Sequence, residues 1–185
     1  MLSSNAFTFH TSPLPDAFKM GLPGRFLNKA GFELLRTFEG FHATAYLCPA
    51  RHWTIGYGHT RTVRPGMNIT REEAEVLLRD DVHWAEKTVE RCVRVPLNDN
   101  QFSALVCFVF NVGPQAFENS TLLKLLNRGW YEQVPLQLMR WTQAAGETLG
   151  GLTRRRIAEG RLWNANNTPD WPRLPVGTTS SDEEV

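Results

Sequence analysis

Residues 38–60, FEGFHATAYLCPARHWTIGYGHT, change periodicity midway and carry a carboxylate, a thiol and a hydroxyl at set intervals. Glu39 is followed after eight residues by Cys48, and Cys48 after five by Thr54. The segment leading in, NKAGFELLRTFEGF, predicts a helix. Asn28 stands where an N-cap belongs, Phe32, Leu35 and Phe38 fall at helical spacing, and Gly40 stops it. Glu39 would then lie at the C-terminal end of that helix, where the dipole disfavours an anion. Beyond it, Tyr46, Trp53, Ile55 and Tyr57 favour strands, while Pro49, Gly56 and Gly58 mark turns or bulges. A short twisted hairpin carrying Cys48 and Thr54 is expected over residues 44–62.

Working outward, NITREEAEVLLRDDVHWAEKTVERCV gives the clearest helical pattern. Thr70 and Glu73 form a capping box. Ala74, Leu77, Leu78, Val82, Ala85 and Val89 line one apolar stripe, and such a helix runs ~30 Å. FSALVCFVFNVG, at 102–113, is apolar nearly all round, as a central buried helix is, with Gly113 and Pro114 ending it. STLLKLLNRG and WYEQVPLQLMRW read as further helices, and GLTRRRIAEGRLW as a last amphipathic one with a basic face. The expected architecture is α+β and mostly α. A small α/β lobe with the hairpin is joined by the long helix to a larger helical lobe, with a cleft between them.

At 185 residues with 42% hydrophobic content, six Trp and eleven Phe, the chain is long enough to bury a substantial core. A net charge of +1 gives no signature of nucleic-acid binding. Cys48, Cys92 and Cys107 are odd in number and unrelated in spacing, which argues against a disulfide framework or a zinc site. No stretch approaches the ~20 apolar residues of a membrane span. The first residues, MLSSNAFTFHTSPLPDAFKM, lack the charged start and apolar core of a signal peptide. Residues 1–28 are expected as an extension whose Phe7, Phe9, Phe18 and Phe26 pack on the body. The catalytic unit is expected over 29–166, with a small lobe at about 29–70, a linking helix at about 71–92 and a helical lobe at about 93–166. Residues 167–185 are expected as a C-terminal tail, ending in the polar, acidic PVGTTSSDEEV.

Inverting glycoside hydrolysis needs an acid to protonate the leaving oxygen and a second group to activate water on the opposite face, roughly 6.5–9.5 Å away. A carboxyl at a helix end facing a returning hairpin suits that requirement, with Glu39 as acid and Cys48 and Thr54 holding the water. Taken singly, each residue has an ordinary reading: a surface glutamate, a small buried cysteine and a threonine favoured by its β-propensity.

The whole pattern, Glu39, Cys48 and Thr54 followed by Gly56, Tyr57, Gly58 and His59, resembles the catalytic region of phage-type lysozymes, the endolysins of glycoside hydrolase family 24. FNVG at 110–113, STLLKLLN at 120–127 and GLTRRRIAEGRLW at 151–163 resemble further motifs of that family in the same order, so the likeness covers roughly residues 29–165. It implies a lysozyme-like fold and a muramidase. The enzyme would cut the β-1,4 bond from N-acetylmuramic acid to N-acetylglucosamine in bacterial peptidoglycan, without metal or cofactor, to lyse a host cell. By the same resemblance Glu39, Cys48 and Thr54 are catalytic, and Thr60, Phe110 and Ser120 bind substrate. His59 pairs with Asp81, Asn111 gives structural support, and Arg155 or Arg156 points to the lobe junction and stabilises ionised Glu39. Ser120 with Thr121 is also the natural cap of its helix. His42 and His52 have no ligand-like spacing and read as surface or cleft residues. The triple arginine run, 154–156, otherwise reads as a solvated face.

The commoner form of the family has Asp where this chain has Cys48. A free thiol is mostly protonated at neutral pH, so it is a weak base unless His52 or His59 lowers its pKa. The resemblance further implies a monomer with no nucleic-acid partner. It would be held in the host cytoplasm without a signal peptide or signal-arrest anchor, and released to the periplasm and wall by a phage holin. Two other readings compete. One is a cysteine amidase or peptidase using Cys48 with His52 or His59, and the other is a non-catalytic peptidoglycan-binding remnant.

Overall fold

The computed structural model of the chain describes residues 24–144 and 147–165. Helix α1 (Lys29–Glu39) begins at Asn28, whose side chain accepts the Gly31 amide at 2.9 Å. Gly31 packs against the central helix so closely that a Cβ there would stand 2.8 Å from that of Ser103, which only glycine avoids. Gly40, at φ 71°, then turns the chain into strand β1 (His42–Leu47), which pairs antiparallel with β2 (Trp53–Gly56). Thr44 with Asn68 and Ile55 with His59 add isolated bridges at the hairpin's margins.

The long helix α2 (Arg71–Cys92) starts with the expected reciprocal cap: Thr70 Oγ1 accepts the Glu73 amide at 3.2 Å, and Glu73 returns a carboxylate oxygen to the Thr70 amide at 2.8 Å. At 22 residues it spans ~33 Å, touching β2 at one end and the helical lobe along the rest. Its buried stripe holds Ala74, Leu78, Val82, Ala85 and Val89 as expected. Leu77 is only half-buried, and Glu86 and Thr88 are buried in addition.

Helix α3 (Asp99–Val112) is buried on almost every side. It starts three residues before Phe102, because Asn98 and Gln101 make a second capping box that hydrophobic periodicity does not reveal. Pro114 does more than end α3. Its fixed φ also opens the short α4 (Pro114–Glu118). Ser120 caps α5 (Thr121–Leu126) by accepting the Leu123 amide at 3.0 Å. The stretch expected as one helix over 130–141 is a 3₁₀ turn, Tyr131–Gln133, running into α6 (Val134–Leu138). A further two-stranded pairing, β3 (Gln143–Ala144) with β4 (Glu147–Thr148), precedes α7 (Gly150–Asn164) and has no counterpart in the sequence reading.

Helix α7 lies against α3, α6 and α1, so the helix that ends in Glu39 is seated on α3 and α7. The core gathers Leu35, Leu105, Phe108, Phe117, Leu126, Leu138 and Trp163, all without exposed surface. Phe108 meets Phe117 and Trp141 edge-on, at 6.3 and 5.4 Å between ring centres. Residues 25–28 are tied down from outside. Leu27 gives its amide to Glu86 at 2.7 Å, and Asn28 gives its own to Ser103 at 3.0 Å. Phe26 does not pack as expected; it is 63% exposed, and Leu27 beside it meets the core instead. The expectations for Phe7, Phe9, Phe18 and the acidic tail lie outside the described residues. Among the described residues no helix is long and apolar enough to cross a membrane.

Candidate active site

Glu39 is the last residue of α1, and Gly40 swings the backbone away immediately after it. Its half-buried carboxylate accepts from Arg155 Nη1 at 2.7 Å. That guanidinium is itself buried. It also donates from Nη2 to the Cys107 carbonyl and from Nε to Glu159, each at 3.3 Å. A carboxylate at a helix C-terminus is opposed by the macrodipole, and a charge-assisted bond from a fixed guanidinium offsets this. Of the two arginines left open by the sequence, Arg155 is the one that meets Glu39. Arg156 instead donates to Asn111 Oδ1 at 2.5 Å.

The hairpin presents the other two residues. Tyr46 is opposite Thr54 and Leu47 opposite Trp53, so Cys48 is the first residue beyond the last paired position. A tight loop follows, closed by the Cys48 amide on the His52 carbonyl (3.0 Å) and the Arg51 amide on the Cys48 carbonyl (2.8 Å). Arg51 completes the loop at φ 61°, a left-handed conformation that non-glycine residues adopt only when their surroundings impose it. Thr54 is buried and donates its hydroxyl to the His52 carbonyl at 3.1 Å. Cys48 and Thr54 are therefore brought together.

The Cys48 thiol is held below its ordinary pKa chiefly by the His52 backbone amide, with the Thr54 hydroxyl and the Ala50 amide adding to the effect against some desolvation. Neither the His52 nor the His59 imidazole is among the causes. The peptide backbone of the loop is what favours the thiolate. The other two thiols, Cys92 and Cys107, are shifted the opposite way by burial.

His59 is buried and fully engaged. Nδ1 lies 2.8 Å from Asp81 Oδ2 and Nε2 lies 2.9 Å from Thr62 Oγ1, while Arg61 donates to the same Asp81 at 2.8 Å. The pair ties the hairpin's end to α2 and leaves neither ring nitrogen for Cys48. His42 and His52 are exposed. His59→Ala removes the ring that bridges hairpin and helix. It is expected to cost about 1–3 kcal/mol of stability, read as a lower melting temperature.

The residues expected to bind substrate lie on three different elements or their margins. Thr60 is exposed just beyond the hairpin. Phe110 is half-buried and stacks on Trp84 of α2, with ring centres 5.9 Å apart and 20° between planes. Ser120 lines a cavity of about 630 Å³ with Gln115, Asn119, Arg140 and Trp141, and its hydroxyl oxygen accepts the Leu123 amide in capping α5. The sequence reading missed Glu159, which has no exposed surface and lies 3.3 Å from both Arg155 Nε and Arg156 Nε. The signal was there in its i,i+4 and i,i+3 spacing from those arginines.

The family model for phage lysozyme matches residues 36–159, spanning the hairpin, the long helix and the basic helix. The chain belongs to the phage lysozyme family. It is accordingly a glycoside hydrolase with a lysozyme-like fold. An endolysin of Acyrthosiphon pisum secondary endosymbiont phage 1 is 39% identical over 143 residues, 75% of this chain and 98% of that protein. The endolysin of Bacillus phage PZA is 39% identical over 158 residues, 84% of this chain, which spans 60% of that relative's length. Among solved structures, the muramidase domain of SpmX from Asticaccaulis excentricus superposes with a TM-score of 0.70 at 39% identity, covering 74% of this chain and 96% of that one. For this lysozyme-family chain the amidase reading is not favoured, since the match takes in Glu39, Cys48 and Thr54 together.

Proposed function

We propose that this enzyme is an endolysin that hydrolyses the β-1,4 bond between N-acetylmuramic acid and N-acetylglucosamine in bacterial peptidoglycan. Glu39 donates the proton to the leaving oxygen, and the developing carboxylate falls to Arg155, which is already in place. Cys48 and Thr54 hold the attacking water on the opposite face. The observation that carries this reading is the position of Glu39, a half-buried carboxyl at a helix end held by a buried arginine within a family-matched frame. In the same reading Thr60, Phe110 and Ser120 line the glycan path, and His59, Asp81, Asn111 and Arg156 keep the two lobes in position. Residues 29–166 make up the catalytic unit, acting as a monomer. The enzyme is stored in the host cytoplasm and reaches the wall when a phage holin opens the membrane.

Digestion of purified peptidoglycan, with fragments identified by mass and reducing ends, tests this. New reducing muramic-acid ends are expected. Cys48→Ser keeps a small hydrogen-bonding group beside Thr54 and is expected to lose no more than about tenfold in rate, short of the 10²–10⁴ of an obligatory base. Peptide-bond products that vanish in Cys48→Ser, or binding to the wall with no turnover, would overturn the assignment.

A further inference from the structure

We propose, resting on the reading of Glu39 as the acid, that Glu159 is a positioning residue that divides Arg155 between two carboxylates and so keeps the proton on Glu39. Glu39, Arg155, Glu159 and Arg156 form one chain of charges running from the half-exposed catalytic carboxyl into the centre of the helical lobe. Arg155 spends its three nitrogens on three acceptors: Glu39 at 2.7 Å, the Cys107 carbonyl at 3.3 Å and Glu159 at 3.3 Å. An undivided guanidinium beside Glu39 would favour the carboxylate, which is the wrong form for a group that must donate a proton. A second anion on the same guanidinium weakens that preference without removing Arg155 from the position it must hold after transfer.

The groups around Glu159 are few. Arg155 and Arg156 face it from its own helix. From α3 come the Cys107 thiol and, through Arg156, the Asn111 amide, and from α1 comes Glu39 through Arg155. The segment Val134–Leu138 of α6 contributes no charged residue. Glu159 Oε2 and Arg156 Nε are close in space but share no hydrogen bond, so Arg156 compensates charge without fixing the carboxylate. Burial pushes the Glu159 carboxyl up to about 7, with Arg156 and Arg155 pulling it back. Glu159 is therefore an anion above neutrality, where it shares Arg155 with Glu39.

The test is the pH dependence of kcat/KM on peptidoglycan for wild type, Glu159→Gln and Glu159→Asp. The limb at high pH reports the loss of the acid's proton. In Glu159→Gln it is expected to move down by about one pH unit, because Arg155 is then left to Glu39 alone. Glu159→Asp keeps the charge and is expected to keep that limb near the wild-type position. A Glu159→Gln profile lowered equally at every pH would overturn the proposal and leave Glu159 a packing residue. If Glu159→Gln does not fold, the wild type decides by NMR titration of ¹³C-labelled glutamates. The Glu39 carboxyl must then show a second inflection where Glu159 titrates, and a single step overturns the proposal. Glu39→Gln in the same assay separates the two claims: if it stays active, the reading of Glu39 as acid has failed, not the coupling.

Discussion

Replacing Glu39 with Gln is expected to lower kcat on peptidoglycan by about 10²–10⁴-fold while leaving the fold in place. The amide has the shape of the carboxylic acid but no proton to give to the glycosidic oxygen, so the loss should fall on kcat rather than on substrate binding. Its carbonyl oxygen can still accept from Arg155 Nη1, which now stands 2.7 Å from Glu39 Oε1. Arg155 also keeps Glu159 and the Cys107 carbonyl as acceptors. Stability is therefore expected to change by only about 1 kcal/mol. Reducing ends released per unit time and a thermal melt on the same preparation provide the two readouts. A loss under tenfold with an unchanged melt would move the acid elsewhere in the chain.

How far the sequence foretold this arrangement depends on the kind of interaction. Features written in neighbouring residues were legible. The Thr70–Glu73 cap, the Asn28 cap, the stop at Gly40 and the hairpin around Cys48 all depend on contacts within a few positions. The pairing of His59 with Asp81, 22 residues apart, came from family resemblance and not from periodicity. Capping at Asn98 and the helix opened by Pro114 were local but were masked, because a hydrophobic run draws the boundary to its own first apolar residue. The burial of Arg155, Arg156 and Glu159 was the least legible. A basic run on an amphipathic helix ordinarily lies in water, and only the packing of α7 on α3 and α1 turns these three inward. The lowered thiol of Cys48 was equally out of reach, because its cause is the backbone of a loop that Arg51 closes in a left-handed conformation.

The buried cluster also sets the largest expected loss of stability, in Arg156→Met. Arg156 has no exposed surface. Its guanidinium lies 4.9 Å from the centre of the Phe108 ring, 3.3 Å from Glu159 and 2.5 Å from Asn111. Methionine is flexible and fills irregular apolar space, so little of the cost should come from a cavity. The cost comes from Glu159, which keeps its burial and loses a compensating charge; breaking a buried pair on one side costs about 3–5 kcal/mol. For a chain of this size that is a fall in melting temperature on the order of 10 °C. The sign with pH follows from the same carboxyl. Its pKa is about 7 in the fold against an ordinary 4.5, so the native state binds the proton more tightly. Its favourable contribution is complete below about pH 4.5 and is lost as the pH rises through 7. With Arg156 gone, the ionised form is harder still to keep buried. The penalty of Arg156→Met is therefore expected to be small near pH 5, where Glu159 is already protonated, and largest near pH 8. Denaturant melts of both proteins at the two pH values measure it. A penalty of equal size at both would mean that Glu159 is ionised throughout, with the arginines outweighing its burial.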